Sequence, residues 1–368
     1  MKIKVRGGRF ALQGSLELTF RCNLRCRHCY VNRPVSEAAA KKEELTFKEL
    51  RRILDEAVDC GLLNLLLTGG EPFLRPDFKT IYRYCQKRGI AVVLGTNGTL
   101  ITDELANFLA QHPPHHVEFS LYGATQETYE TVTRIPGSYK RSLRGLQRLV
   151  ERKIPVQVKA TLLTLNYHER RAMEALAKKL GCPFRLGVYL HPRLDGSRDP
   201  LRFRISPEEA CAADMSRSER IREIRERLTD CFQQGSPNRH YACTAGTGSF
   251  HIDPSGKMSV CSCSRKWQYD LRAGHFEEAW YRAMPDSVLF EKRNASSCSD
   301  CSFRALCGNC PGVSELETGK TDGVVPYLCE LTHRWVKAMG LPADKAIVDT
   351  VSSLKLKGAA DENEKENA

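Results

Sequence analysis

The stretch SLELTFRCNLRCRHCY, residues 15–30, decides how the rest of the chain is read. Residues 15–19 are a short apolar run of strand type, and Cys22, Cys26 and Cys29 follow at once in the spacing C-x3-C-x2-C. A structural zinc site takes four protein ligands, so three cysteines leave one coordination position for water or a substrate. The pattern puts metal chemistry just beyond the end of a first strand.

Outward from there, five further apolar runs alternate with helical patterns: NLLLT (64–68), AVVLG (91–95), HVEFSL (116–121), PVQVKAT (155–161) and FRLGVYL (184–190). Such alternation predicts an α/β fold of parallel strands joined by helical crossovers. Thr46 and Glu49 form a capping box and Gly61 stops the helix between the first two strands. Parallel sheets bind ligands at the C-terminal ends of their strands. On that rim stand the cysteine triplet, TGGEP (68–72), TNGT (96–99) and SLYG (120–123), which predicts one shared site.

The chain has 368 residues, enough for one large domain and a smaller one. Its 56 Lys and Arg against 44 Asp and Glu give a charge of +12, which suits an acidic partner. The basic residues are dispersed, with no dense run and no base-stacking aromatic motif, which argues against nucleic acid. The first residues lack the apolar core of a signal peptide, and no stretch approaches the ~18 apolar residues of a membrane span. A cytoplasmic protein with sixteen cysteines is expected to use them for metal, since disulfides are rare in a reducing compartment.

After residue 190 the alternation stops. Ser206, Pro207 and Glu209 open a helix as N-cap, first-turn proline and capping partner. The reading therefore divides the chain into an N-terminal segment (1–14), the α/β domain (15–200), a helical bridge (201–242), a cysteine-dense domain (243–335), and a C-terminal helix with a disordered polar tail (336–368). Cys60, Cys85, Cys182 and Cys211 lie on or beside helical patterns and read as small buried apolar residues. His112, His115 and His116 read as loop and packing residues.

The triplet after a first strand resembles the signature loop of the radical S-adenosylmethionine (SAM) superfamily. In that family three cysteines hold a [4Fe-4S] cluster whose open iron chelates SAM, and Tyr30 after the third cysteine fits the pattern. The resemblance calls for TGGEP after the second strand. Gly69 and Gly70 let the backbone approach a ligand, Glu71 is then the acceptor for the SAM amine, and Pro72 closes the turn. Asn97, Ser120 and Arg134 are the further SAM candidates, with Thr96 shaping the turn beside Asn97 and Arg141 competing with Arg134. The bland alternatives are a zinc half-site for the triplet and an ordinary glycine turn for TGGEP.

The second cysteine set resembles the SPASM domain of the same superfamily, which carries two auxiliary iron-sulfur clusters, here of the [4Fe-4S] type. Cys243 and Cys261 fall in C-x12-G-x4-C with Gly256 in a hairpin turn, and Cys298, Cys301, Cys307 and Cys310 form C-x2-C-x5-C-x2-C before Cys329. By position, Cys243, Cys261 and Cys310 hold the first auxiliary cluster, and Cys298, Cys301, Cys307 and Cys329 the second. The last interval is x2 where one form of the motif has x3. The fourth ligand of the first cluster stays open between Cys263, Cys231 and a substrate. A zinc module is the alternative for this region.

Together these resemblances imply a partial (β/α)6 TIM-like barrel with a C-terminal SPASM-like domain. They imply an enzyme that cleaves SAM reductively to a 5′-deoxyadenosyl radical and takes hydrogen from its substrate. The expected substrate is a ribosomally made precursor peptide, the expected electron donor a flavodoxin or ferredoxin. With about 14 residues ahead of the first strand, peptide recognition is expected from a separate protein. Ser262 stands where the sulfatase-modifying members carry an acidic residue, which disfavours that group. Modification of a tetrapyrrole, and a non-catalytic zinc or iron-sulfur scaffold, are the alternatives.

Overall fold

Strand β1 (Gln13–Thr19) runs directly into the cysteine loop, which is closed at its base by the parallel two-residue pair β2 (Arg21–Cys22) and β3 (Arg33–Pro34). The computed structural model describes residues 9–31, 33–234, 241, 243–264, 267–284, 301, 303 and 306–340, and of residues 228–234 the backbone. Next come β4 (Asn64–Gly69), β5 (Ala91–Thr96), β6 (His116–Ser120), β7 (Val156–Thr161) and β8 (Phe184–Gly187), all parallel, in the order β1-β4-β5-β6-β7-β8. These are the six parallel strands that the alternation predicts, in the arrangement of the partial barrel that the resemblance implies. The run FRLGVYL leaves the ladder at Gly187, because its last residue packs rather than pairs: Leu190 is buried with Val132 and Leu163.

Along β5, β6 and β7 every second residue is buried. Val92, Leu94, Val117, Phe119, Val158 and Ala160 lie on one face, while Gly95, Glu118, Ser120 and Lys159 on the other line a cavity. The period-2 alternation thus separates core from site. The helices bury matching stripes: Leu50, Ile53, Leu54, Ala57 and Val58 on Phe47–Asp59, and Phe78, Ile81, Tyr82 and Cys85 on Phe78–Lys87. The Thr46–Glu49 capping box is present, and Gly61 has a φ of +103°, as a helix stop requires.

The chain forms two units, Met1–Ile205 with Cys243–Leu289, and Ser206–Ala242 with Phe290–Ala368. In the first, β9 (Ser249–Ile252) pairs parallel with β1, and a hairpin turned at Gly256 (φ +88°) leads to β10 (Lys257–Ser259) and β11 (Tyr269–Asp270). Strands β9, β10 and β11, which the sequence reading groups with the cysteine-rich domain, therefore extend the barrel sheet. An open barrel leaves β1 with an unpaired edge, and β9 satisfies its backbone groups. In the second unit the helix Pro207–Met215, capped by Ser206 and Glu209, packs on the helix Pro326–Ala338. No helix among the described residues is long and apolar enough to cross a membrane.

A buried ion cluster fixes the approach to the cysteine loop. Arg21 donates to both Glu44 oxygens at 2.7 and 3.2 Å, Thr19 Oγ1 donates to the same carboxylate at 2.6 Å, and Arg75 lies 3.6 Å away. Their side chains are 5–7% exposed. Glu44→Gln would leave two buried guanidinium groups without their shared carboxylate, an expected loss of about 3–5 kcal/mol. A clear fall in the thermal midpoint of the purified protein is the expected result, and an unchanged midpoint would refute it.

Candidate active site

The cysteine loop is pinned by the end of a neighbouring helix. Helix Gln126–Thr133 leaves its last carbonyls unpaired, and the loop supplies donors: Arg25 N–H to Thr133 O and Arg27 N–H to Val132 O, each 3.0 Å. The Cys29 N–H closes a turn on the Cys26 carbonyl at 3.1 Å. On the far side, Arg193 Nη1 donates to the Cys29 carbonyl at 3.1 Å. Cys22, Cys26 and Cys29 thereby converge on one cavity of about 310 Å³. Leu24 N–H and Asn97 Nδ2 point at Cys22 Sγ from 3.4 and 3.7 Å.

Burial pushes the Cys22 thiol up to about 12, with the charge of Glu71 adding to it, and burial raises Cys26 well above its ordinary value. Buried thiols in this state need a metal to ionise them. Cys29 lines the same cavity, and three cysteines on one wall, with amide donors aimed at the Cys22 sulfur, are the donor set of a cluster held by three protein ligands.

Gly69 and Gly70 line the same cavity because the chain there passes through space that no side chain can share. A Cβ on Gly69 (φ +123°) would lie 2.2 Å from the Thr19 carbonyl, and one on Gly70 2.2 Å from that of Arg21. Glu71 behaves differently from the expectation that it accepts from a SAM amine. It is fully buried, is absent from the cavity wall, and its oxygens are taken by the chain itself. Thr96 Oγ1 donates to both at 2.9 Å, Asn97 N–H to Oε2 at 2.9 Å and Phe73 N–H to Oε1 at 3.3 Å. Glu71 is a clamp that ties the β4 and β5 turns together. Burial lifts its carboxyl to about 7, against the pull of these donors. Pro72 is buried behind it, opening the short 3-10 turn Pro72–Leu74.

Tyr30, Asn97 and Ser120 line the cavity, as does Thr96. Arg134 does not reach it: it is an exposed residue in the left-handed conformation (φ +59°) that ends its helix. Arg141 is exposed too and donates to the Pro136 carbonyl. Cys60, Cys85, Cys182 and Cys211 are buried, in line with a packing role. Cys243, Cys261 and Cys263 belong to the first unit, and Cys301, Cys307, Cys310 and Cys329 to the second. Cys298 and the Cys231 side chain lie outside the described residues.

Sequence reading missed several cavity residues. His28, between the second and third cysteines, is buried against Tyr122, and burial lowers it to about 4, so it is neutral. Glu17 and His251 face the cavity from β1 and β9, and Lys159 pairs with Glu118 at 2.7 Å across β7 and β6. Outside the cavity wall, His191 holds its Nδ1 on the Pro192 carbonyl at 2.7 Å and presents Nε2 to Cys263 Sγ at 4.0 Å. The available signal was charge at alternate positions of apolar strands, Glu17 in SLELT and Lys159 in PVQVKAT.

Residues 16–180 match the model of the radical SAM superfamily. An AdoMet-dependent heme synthase of Methanosarcina barkeri is 29% identical over 331 residues, covering 84% of this chain and 94% of that protein. The mycofactocin maturase MftC of Mycobacterium tuberculosis is 27% identical over 314 residues, 80% of this chain and 76% of that one. Among solved structures, Streptococcus suis SuiB bound to precursor peptide SuiA aligns with a TM-score of 0.66 at 17% identity, over 87% of this chain and 76% of SuiB, a likeness of fold.

Proposed function

We propose that the radical SAM domain this chain carries over residues 16–180 serves to modify a side chain of a ribosomally made precursor peptide. That superfamily works with SAM and a [4Fe-4S] cluster. When bound, the two supply the electron and the adenosyl carbon that take a hydrogen atom from the substrate. Cys22, Cys26 and Cys29 would hold the cluster. The backbone at Gly69 and Gly70, with Tyr30, Asn97 and Ser120, would border SAM, and the buried wall would keep water from the reacting carbon. Auxiliary clusters would draw on the cysteines that the SPASM resemblance assigns to them, with Cys263 beside His191 as a further donor. A cytoplasmic enzyme of this kind takes electrons from a flavodoxin or ferredoxin, and a separate protein would present the peptide.

The peptide reading is supported by the relative named mycofactocin maturase and by the likeness of fold to SuiB, solved bound to its precursor peptide SuiA. The relatives named heme synthase favour a tetrapyrrole as the second reading. Anaerobic turnover with the short peptides encoded beside the gene, and in parallel with an iron porphyrin, separates the two by mass spectrometry. A peptide of altered mass and an unchanged porphyrin is the expected result. The reverse would replace the peptide by the tetrapyrrole.

The clamp role of Glu71 makes its own prediction. Glu71→Gln puts an amide where Asn97 N–H and Thr96 need an acceptor, so the β5 turn loosens while the thiols remain. SAM affinity is expected to fall about tenfold, the worth of one buried charge-assisted hydrogen bond, with iron content unchanged. Equilibrium dialysis with labelled SAM and an iron assay measure both. Loss of iron along with SAM would instead place Glu71 in support of the cluster.

A further inference from the structure

We propose that Glu17, flanked by His251, is the point in the cavity that recognises a cationic nitrogen. Strand β1 brings Glu17 and strand β9 brings His251 to the cavity face, and each side chain is 1% exposed. The Tyr30 hydroxyl donates to Glu17 Oε1 at 2.5 Å. Oε2 receives no donor, and neither ring nitrogen of His251 has a hydrogen-bond partner. The nearest approach between them, Nε2 to Oε2, is 3.6 Å, too long for a hydrogen bond.

Burying a carboxylate oxygen without a donor is costly, and a protein keeps such a group where a ligand supplies the missing partner. The surrounding charges say what kind of partner. Glu118 on the same wall is neutralised by Lys159 at 2.7 Å. Glu17 is the carboxylate of the described cavity wall that no lysine or arginine pairs. A primary ammonium or guanidinium entering the cavity would meet Oε2, with the imidazole of His251 as a second polar contact. One source in this site offers that chemistry, a lysine or arginine side chain of the substrate, because the amino nitrogen of SAM would be bound to the open iron and so would not be an ammonium.

This inference rests on the reading that the cavity takes SAM and a peptide side chain. It is tested by binding to the reconstituted full-length protein, without turnover. SAM is measured by equilibrium dialysis, and Nα-acetyl-lysine methylamide against its neutral norleucine counterpart by ligand-observed NMR. Glu17→Gln removes the charge and keeps the shape, and is expected to weaken the lysine probe about tenfold or more while SAM binds as in the wild type. Glu17→Asp, which keeps the charge, is expected to retain most of the binding. Loss confined to the lysine probe supports the inference; loss confined to SAM, or a wild type that binds SAM but not the probe, would overturn it. Glu17→Gln binding both as wild type does, or Glu17→Asp failing as Glu17→Gln fails, would overturn the inference. Iron content and thermal midpoint of each variant confirm that it is folded. A wild type that binds neither SAM nor the probe would overturn the proposed function along with it.

Discussion

Cys26→Ala is expected to abolish 5′-deoxyadenosine formation, a fall of at least about a thousandfold, because the three thiols act as one unit and the loss of one removes the cluster's hold. Cys26 is the deepest of the three, 7% exposed, and its carbonyl closes the turn that positions Cys29. Alanine fits there without strain, so the fold should survive. The diagnostic is the iron count. With the auxiliary clusters in place, the variant should lose about four irons of about twelve and keep the rest. Loss of all the iron would mean that the variant fails to fold, and retention of all of it would mean that Cys26 holds none.

Gly70→Ala is the second large effect, and it acts through the backbone. The new methyl would lie 2.2 Å from the Arg21 carbonyl oxygen and 2.6 Å from its carbon, with Phe20 O at 2.7 Å. None of these is a flexible side-chain end that can move aside. Relief would require breaking the hydrogen bonds that join this turn to β1 and β2, Gly70 N–H to Thr19 O at 2.7 Å and Glu71 N–H to Arg21 O at 3.0 Å. Arg21 precedes Cys22, so the displacement would be passed to the first thiol. A loss of about 3 kcal/mol or more in stability is expected, together with loss of SAM binding. Gly89→Ala is the control. It has a φ of +78° but nothing within 4 Å, so it should cost only the ~1–2 kcal/mol of a left-handed residue and leave SAM binding intact.

Strands and caps were readable because local chemistry determines them. The alternation in AVVLG and PVQVKAT marks one buried face, and Ser206-Pro207 with Glu209 marks a helix start whatever lies elsewhere in the chain. The site was readable where residues of one loop act together, as in the cysteine triplet. It was not readable where orientation decides. The spacing in TGGEP places an acid after two glycines, but the carboxylate turns back to cap Pro72–Leu74 and to hold Thr96 and Asn97. Arg134 ends its helix in a left-handed residue, which turns the chain there and leaves it exposed.

Long-range pairing was the other blind spot. Pairing of β9 with β1 joins residues some 240 apart in the chain, roughly the whole length of a domain. No local pattern announces it, so His251 could not be associated with Glu17. The same holds for His191 and Cys263, which are separated by 72 residues. A charged residue inside an apolar strand is the one signal that generalises: Glu17, Glu118 and Lys159 all face the cavity.

The most direct test of the account is the fate of a single hydrogen. The reconstituted enzyme is given SAM, a reductant and its precursor peptide carrying deuterium on the side-chain carbons, and the mass of the 5′-deoxyadenosine is recorded. The account predicts 5′-deoxyadenosine one mass unit heavier, formed together with an altered peptide and absent with Cys26→Ala. Unlabelled 5′-deoxyadenosine beside an unaltered peptide would contradict it, showing that the cavity cleaves SAM but acts on something else.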